Sequence, residues 1–191
     1  MISYRHKDWV YLFAELAEAA QGSELTLINK AISGTMMSTT SGNGVFPAAK
    51  DTVQDYIVPN NPDLMTIAYG INDYHAGTTY ETFISDYRGY LTEIRAALPD
   101  TVIIVFGLCA KGHNDQSIVD IIAWNAGIRA LAEEFGCIYA DSYYDMRGRE
   151  WLLADGLHPN NAGYRVVANT ALRYFSANVD LSGVEEQPPV A

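Results

Sequence analysis

The chain is poor in positive charge and in long apolar runs, and each shortage excludes a class of protein. Lysines and arginines number 12 against 23 aspartates and glutamates, which gives a formal net charge of -11 at pH 7. This charge opposes binding to nucleic acid and to anionic lipid, so neither is expected as a partner. Val102–Ala110, among the longest apolar runs, is far shorter than the ~20 residues of a membrane span. Because no basic segment followed by an apolar core opens the chain, the sequence as written predicts a cytoplasmic protein.

Cysteine is also scarce, with only Cys109 and Cys137, each in an apolar, strand-like run. If those strands are parallel, the two thiols lie at opposite ends of the sheet. This arrangement favours two reduced, buried cysteines over a disulfide or a metal pair. The four histidines are scattered among residues that do not ligate metals, and no glycine-rich phosphate loop occurs. We therefore expect no metal and no cofactor, and a nucleotide-binding protein is disfavoured.

What the chain does have is the composition of one globular domain. Hydrophobic residues make up 49% and charged residues 18% of the 191 residues, which suffices for one core and is too little for two ordinary domains. We assign residues 1–178 to this domain and residues 179–191 to a loose tail that contains Pro188 and Pro189.

Apolar spacing predicts helices that alternate with short strands. Helical spacing marks the regions 7–20, 48–57, 84–98, 118–131 and 164–175, and strands are predicted at Leu25–Ile28, Leu64–Tyr69, Thr101–Leu108 and Cys137–Ala140. Parallel strands need helical crossovers, so the pattern predicts an α/β fold, a three-layer α/β/α sandwich with a flavodoxin-like parallel sheet. Ligands bind such sheets at the carboxyl ends of the strands.

Three polar clusters are expected at that edge. Gly34 lets the backbone approach a ligand and direct an N–H at a developing oxyanion, although Ser-Gly is also a common turn. Asn72, in Gly-Ile-Asn-Asp, offers an amide donor or forms an Asx turn. Asp155, three residues before His158, either accepts the ring N–H and leaves the other nitrogen as a base, or caps a helix.

In this order, the three clusters resemble the SGNH hydrolase family, also called the GDSL esterases and lipases, over about Trp9 to Phe175. The resemblance implies a lipase or acylhydrolase that works through an acyl-enzyme without a metal. It implies that Gly34 and Asn72 form the oxyanion hole, and that Asp155 and His158 are the acid and base of the triad.

The chain departs from that family at the nucleophile. The family carries Gly-Asp-Ser at the end of a first strand, and none of the ten serines here stands in such a triplet. Ser3 has no Gly-Asp before it, and Ser33 belongs to the glycine cluster. In the flavodoxin-like strand order the missing first strand is central, so two apolar strand edges are left without a partner.

Three explanations stay open for this absence. In the first, the sequence begins downstream of the complete gene's start. In the second, the sheet is rearranged: Leu25–Ile28 pairs directly with Leu64–Tyr69, or a partner chain or Val179–Leu181 takes the place of the missing strand. In the third, the protein is a non-catalytic relative. Association into a homo-oligomer, or strand exchange, follows from the unpaired edges.

The expected partner is a small-molecule ester, such as a short acyl ester or an acetyl group on a carbohydrate. Tyr74, His113 and Met36 are predicted to lie near the cleft and to contact substrate. The alternative function is a catalytically inactive binding or scaffold module with the same fold.

Overall fold

The chain folds into alternating helices and strands around a parallel sheet. The computed structural model describes residues 8–22, 24–40, 46–109 and 115–179. Three strands, β1 (Leu64–Ile67), β2 (Val102–Phe106) and β3 (Ile138–Ala140), form one sheet in the order β1-β2-β3, with both pairs parallel. The α-helices of the described residues are α1 (Trp9–Gln21), α2 (Ile71–His75), α3 (Tyr80–Ala97), α4 (Asp115–Glu134), α5 (Ser142–Met146) and α6 (Asn161–Asn178).

The central strand β2 shows why the sheet is covered on both faces. Its side chains alternate, so that Ile103 and Val105 join the core beneath α3 and α4, whereas Ile104 and Phe106 join the core beneath α1 and α6. All four residues are buried. A strand that is apolar on both faces needs a helical layer on each side, and this requirement produces the three-layer α/β/α architecture.

The amino end of α1 lies at the carboxyl edge of the sheet. Asp8 caps this helix by accepting hydrogen bonds from the N–H groups of Val10 and Tyr11. The Trp9 ring packs on Phe106, the last residue of β2, with the ring centroids 4.6 Å apart. The helix therefore starts on the same side of the sheet as the loops that follow the strands.

The predicted strand Leu25–Ile28 is wrong. Residues 24–32 have no regular secondary structure, and Ile28 is 48% exposed. A strand needs a neighbour for its ladder hydrogen bonds, and no described strand pairs with this segment. The rearranged sheet in which it pairs directly with β1 is therefore wrong as well.

The helix predicted over residues 48–57 is replaced by shorter pieces. A 3₁₀ turn (Ala49–Asp51), a π-helical turn (Val53–Ile57) and a second 3₁₀ turn (Val58–Asn60) follow one another. Pro59 carries no N–H, so it cannot continue an α-helical hydrogen-bond pattern at the end of this segment.

The placement of the cysteines agrees with the prediction. Cys109 follows the carboxyl end of β2, Cys137 precedes the amino end of β3, and both thiols are free. Burial raises the pKa of each thiol above its ordinary value. Within the described ranges, no helix combines the length and apolar character needed to cross a bilayer.

Candidate active site

Asp155 and His158 form a hydrogen-bonded pair in the loop before α6. The imidazole Nδ1 lies 2.7 Å from Asp155 Oδ2. The other carboxylate oxygen, Oδ1, accepts hydrogen bonds from the backbone N–H groups of Leu157, at 3.1 Å, and of His158, at 2.8 Å. One carboxylate thus fixes both the backbone and the ring of His158.

The chain holds this pair by a narrow, hairpin-like loop. Leu153 and Pro159 form an antiparallel bridge, and the Ala154 N–H donates to the His158 carbonyl at 2.8 Å. Gly156 has a φ of 80°, a conformation that suits glycine in a tight turn. Asn160 then caps α6, which ends the loop two residues after the imidazole.

In this pair, Asp155 is ionised and the imidazole of His158 is open to solvent. The His158 backbone N–H, followed by its ring and the Leu157 N–H, lowers the pKa of Asp155 from 3.8 to about 2. The His158 side chain is 67% exposed. Because Asp155 occupies Nδ1, the other ring nitrogen, Nε2, is left to exchange a proton with a bound molecule.

Asn72 and Gly34 meet in a second cluster. The Asn72 side-chain amide donates one hydrogen bond to the Thr35 carbonyl at 3.0 Å, which leaves its second N–H for a ligand. Gly34 has a φ of 80° in a turn closed from Thr35 to the Ile32 carbonyl. Within the described residues, no hydrogen bond engages the Gly34 N–H. The Asn72 amide on α2 is thus held against the loop that carries Gly34.

Asp73 is a residue that the sequence reasoning passed over. It is fully buried, and its two carboxylate oxygens accept hydrogen bonds from the backbone N–H groups of Met37 and Ser38, each at 2.9 Å. Burial raises its pKa, against the opposing effect of these two bonds. Asp73 therefore ties the loop that carries Gly34 to the turn that carries Asn72. Its place beside Asn72 in Gly-Ile-Asn-Asp was the available signal.

The structure thus groups the four predicted catalytic residues as two pairs. Asn72 lies on α2, just beyond the carboxyl end of β1, and contacts the loop that carries Gly34. Asp155 and His158 lie on the loop between the 3₁₀ turn Glu150–Leu152 and α6. Among the described residues, no hydrogen bond joins Asn72 or Gly34 to His158. Their convergence on one substrate stays a prediction.

The three predicted substrate contacts differ in how much surface they offer. Met36 is only 7% exposed, which leaves little of its side chain for a ligand. The Tyr74 hydroxyl donates to Asp120 at 2.8 Å, so α4 already engages it. His113 lies outside the described residues.

No serine hydroxyl is placed to serve His158 in the part of the chain whose side chains are described. Ser142 is buried and donates to the Gly107 carbonyl at 2.6 Å, and Ser38 is also buried. Neither these two nor the described serines Ser33, Ser85 and Ser176 hydrogen-bond to the imidazole. Likewise, no metal-ligating cluster occurs in the described ranges.

The fold is an α/β/α sandwich, and the loop before its last helix holds an Asp–His pair of the kind that serves as acid and base in serine hydrolases. The model of the GDSL-like lipase/acylhydrolase family matches residues 3–166, which is most of the chain. The chain belongs to this family. No curated protein sequence matches it.

Solved structures share the fold at low sequence identity. Axe2, an acetylxylan esterase from Geobacillus stearothermophilus, superimposes with a TM-score of 0.72 at 18% identity, over 92% of this chain and 83% of that one. The acetyl xylan esterase AlAXEase has a TM-score of 0.71 at 20% identity, over 92% and 93% of the two chains. LAE5, an alpha/beta hydrolase enzyme from the metagenome of Lake Arreo in Spain, has a TM-score of 0.66 at 21% identity, over 91% and 83%.

Proposed function

We propose that this protein is a carboxylic ester hydrolase that works through an acyl-enzyme on a serine. The observation that carries the proposal is the Asp155–His158 pair, in which an ionised carboxylate holds Nδ1 of a largely exposed imidazole and leaves Nε2 without a hydrogen bond to any described residue. This is the arrangement that a general base needs to activate a hydroxyl nucleophile. Membership of the GDSL-like lipase/acylhydrolase family supports the same chemistry.

The reaction follows from the position of each group. His158 Nε2 takes the serine proton as the serine oxygen attacks the ester carbonyl carbon, and Asp155 stabilises the imidazolium that forms. The Gly34 N–H and the free Asn72 N–H donate to the oxyanion. Collapse of this intermediate expels the alcohol, which receives the proton from His158. Water, deprotonated by His158, then attacks the acyl carbon, the bond between this carbon and the serine oxygen breaks, and His158 returns the proton to the serine oxygen as the acid is released.

The nucleophile is proposed to be a serine outside the described residues. One solved form of Axe2 is a catalytic mutant in which a serine is replaced by alanine, which supports a serine-dependent reaction in this fold. The hydroxyl oxygen of this serine must lie about 3 Å from His158 Nε2, because proton transfer requires a hydrogen bond between the two atoms.

We propose a short acyl ester of a carbohydrate as the substrate class. Trp151 is 69% exposed and lies beside the loop of the Asp155–His158 pair, where its carbonyl accepts a hydrogen bond from Asn160. An exposed indole next to a general base offers a flat face for a sugar ring. The acetylxylan esterases among the structural neighbours support this choice.

The test uses the chain with an added amino-terminal apolar strand that ends in Gly-Asp-Ser, and p-nitrophenyl acetate as the substrate. We expect hydrolysis that falls about 10³-fold or more in His158→Ala and about 10²–10³-fold in Asn72→Ala. Asn169→Ala, an exposed asparagine on α6, is the matched control and keeps the full rate. The same extension with alanine in place of the serine is expected to be inactive.

Two results would contradict the proposal. One is an extended protein that is folded but inactive, and the other is an unchanged rate in His158→Ala. Acetylated xylo-oligosaccharides, used as a second substrate, test the substrate class separately from the chemistry. A Trp151→Ala variant should raise the KM for the sugar ester and leave the KM for p-nitrophenyl acetate unchanged.

The second candidate is a binding module that retains the pocket without turnover. The lack of a serine at hydrogen-bonding distance from His158 in the described residues favours it. This candidate predicts that acetylated sugars bind to the extended protein and are recovered intact.

A further inference from the structure

Basic side chains are concentrated in the segment that carries the Asp155–His158 pair. Residues 142–178 contain four arginines and three acidic residues, whereas the other 154 residues contain eight basic and 20 acidic ones. This segment comprises α5, the 3₁₀ turn Glu150–Leu152, the loop of the pair and α6. The candidate site therefore lies in a weakly cationic segment of an otherwise acidic protein.

The charges close to the site decide which ligands it attracts. At physiological ionic strength the Debye length is about 8 Å, so the potential of more distant acidic residues is largely screened at the surface. Arg147 and Arg149 stand just before the 3₁₀ turn that leads into the loop of the pair. The net charge of -11 for the whole chain therefore does not exclude an acidic ligand at this place.

Two backbone hydrogen bonds in series join Arg149 to the loop of the pair. The Arg149 carbonyl accepts from the Leu152 N–H at 2.8 Å, and the Leu152 carbonyl accepts from the Asn160 N–H, also at 2.8 Å. The first bond closes a turn whose ends are at most about 7 Å apart, and the second joins neighbouring backbones about 5 Å apart. The Arg149 backbone thus lies within about 12 Å of Asn160, which is two residues beyond His158.

The guanidinium groups of Arg147 and Arg149 form no ion pair with any described residue, and both side chains are exposed. Ion pairs engage four other basic side chains, namely those of Lys50, Arg88, Arg129 and Arg173. The Arg147 guanidinium lies over the Tyr144 ring, 4.4 Å from its centroid, which leaves the N–H groups at its edge for a ligand. A guanidinium with free N–H groups matches the geometry of a carboxylate.

The acidic residues of the segment oppose such a ligand only in part. Asp145 is paired with Arg173 at 2.6 Å, and Asp155 holds the ring of His158. Glu150, next to Arg149 in the sequence, is exposed and forms no ion pair with any described residue. Its carboxylate should weaken the binding of an anion, which gives the charge argument a test of opposite sign.

Exposed aromatic rings accompany the two arginines. Trp151 is 69% exposed and Tyr144 is 59% exposed, the highest values for tryptophan and tyrosine among the described residues. Flat rings of this kind pack against the apolar face of a sugar. Charge alone would suit any anion, whereas aromatic rings beside free guanidinium groups suit a sugar that carries a carboxylate.

We propose that residues 144–151 bind an oligosaccharide of uronic acids, with Arg147 and Arg149 pairing with its carboxylates and Trp151 packing on a sugar ring. This inference rests on the proposed function insofar as the bound chain carries the ester that is hydrolysed. Binding itself requires no nucleophile, so it can be measured on the unmodified protein. Exposed ion pairs change an affinity about two- to fivefold each, so two arginines predict a preference of about tenfold for the acidic sugar over a neutral one.

The first experiment is an NMR titration of the full, unmodified chain, followed at the Trp151 indole N–H and the Arg149 backbone N–H. The ligands are a trimer of galacturonic acid, a trimer of galactose with the same linkage, and citrate. The acidic trimer should bind about tenfold more tightly than the neutral one and should shift both signals. Equal affinities for the two trimers, or citrate binding as tightly as the acidic trimer, would overturn the proposal.

Matched substitutions then locate the charge that matters. Arg149→Gln should weaken binding of the acidic trimer about threefold and leave the neutral trimer unaffected, and the double variant with Arg147→Gln should remove the preference. Arg88→Gln removes the same charge from α3 and should leave the preference intact. Glu150→Gln should strengthen binding of the acidic trimer. An equal loss in Arg88→Gln and Arg149→Gln would show that only net charge is sensed, and would overturn the site.

The serine-extended protein separates this inference from the proposed reaction. The acetylated acidic trimer should be hydrolysed with a higher kcat/KM than the acetylated neutral trimer, and the double arginine variant should lose this advantage. Preferential binding of the acidic trimer without hydrolysis of either ester would contradict the esterase and support the acidic-sugar site. Hydrolysis of both esters with equal kcat/KM and equal affinity would support the esterase and overturn the site.

Discussion

At the scale of single residues, the candidate site depends on hydrogen bonds of two kinds, between near neighbours in the sequence and between distant segments. Asp155 reaches the ring and the backbone N–H of His158 because three residues of a tight turn separate them. Asn72 holds the Thr35 carbonyl, and Asp73 holds the next stretch of the same loop through Met37. In each case a side-chain carboxylate or amide, rather than water, forms the hydrogen bond to a backbone group. The loops are therefore oriented before a substrate binds.

The carboxyl of Asp155 provides a pH test at this scale. Its pKa is lowered from 3.8 to about 2 in the folded protein, so the ionised group stabilises the loop above about pH 4. That contribution is lost as the pH falls from 3.8 to about 2, because protonation then favours the open loop. We expect carbon NMR to give a midpoint of about 2 and the His158 amide to lose exchange protection over the same range.

His158→Ala removes the ring but keeps the backbone N–H, which is the largest cause of the shift. The midpoint should therefore rise only part of the way to 3.8. Asn169→Ala serves as the control and should leave the midpoint of Asp155 unchanged. A midpoint near 3.8 in the unaltered protein would show that the pair does not form in solution.

At the scale of elements, buried side chains complete the backbone hydrogen bonds where strands end. Asn125 on α4 accepts a hydrogen bond from the Leu108 N–H at 2.6 Å and donates to the Leu108 carbonyl at 3.1 Å. Leu108 is two residues beyond β2 and buried, so the side chain continues the strand's pairing after β3 has ended. Arg95 on α3 similarly donates to carbonyls at the other edge, among them Thr101 and Phe135.

Asn125→Ala should destabilise the protein through this link between α4 and β2. It leaves both backbone groups of the buried Leu108 without a partner, at a cost of about 2–4 kcal/mol in the free energy of unfolding. Urea denaturation followed by circular dichroism measures the loss. Asn178→Ala, at an exposed asparagine on α6, is the matched control and should change stability by less than about 0.5 kcal/mol. Equal stability of the two variants would contradict the role of Asn125.

At the scale of the whole molecule, hydrogen bonding and burial are distributed unevenly along the chain. The middle strand β2 has a partner on each side and a helical layer on each face, whereas residues 26–30 make no backbone N–H hydrogen bond to any described residue. A segment with few buried contacts and no ladder opens at a small fraction of the global free energy. Residues 26–30 are therefore among the least protected segments of the fold, and β2 is among the most protected.

Hydrogen exchange with mass spectrometry should resolve this difference in the unmodified chain. The amides of Val102–Phe106 should exchange only through global unfolding, because both ladders must break. The amides of residues 26–30 should exchange at close to the rate of an unstructured chain. Equal protection of the two regions would contradict this difference and would show that residues 26–30 are held as firmly as the sheet.

The sequence by itself determined the layers of the fold and the pairing of Asp155 with His158. Apolar runs of strand length separated by helical periodicity lead to a parallel sheet, and a three-residue spacing lets an acid reach an imidazole where the chain makes a tight turn. Both the apolar spacing and the acid–imidazole spacing are properties of short segments of the sequence. The family resemblance also assigned Gly34 and Asn72, and the Asn72 side chain contacts the loop that carries Gly34 through the Thr35 carbonyl.

Only the tertiary structure decided whether the apolar residues at Leu25–Ile28 form a strand. Their pattern is that of a strand, but ladder hydrogen bonds require a neighbour, and β1 lies across a cavity of about 330 Å³ from them. The buried role of Asp73 was equally out of reach, because its partners, Met37 and Ser38, stand some 35 residues away in the sequence. Pairings between distant segments depend on the packing of the whole chain, which local pattern does not contain.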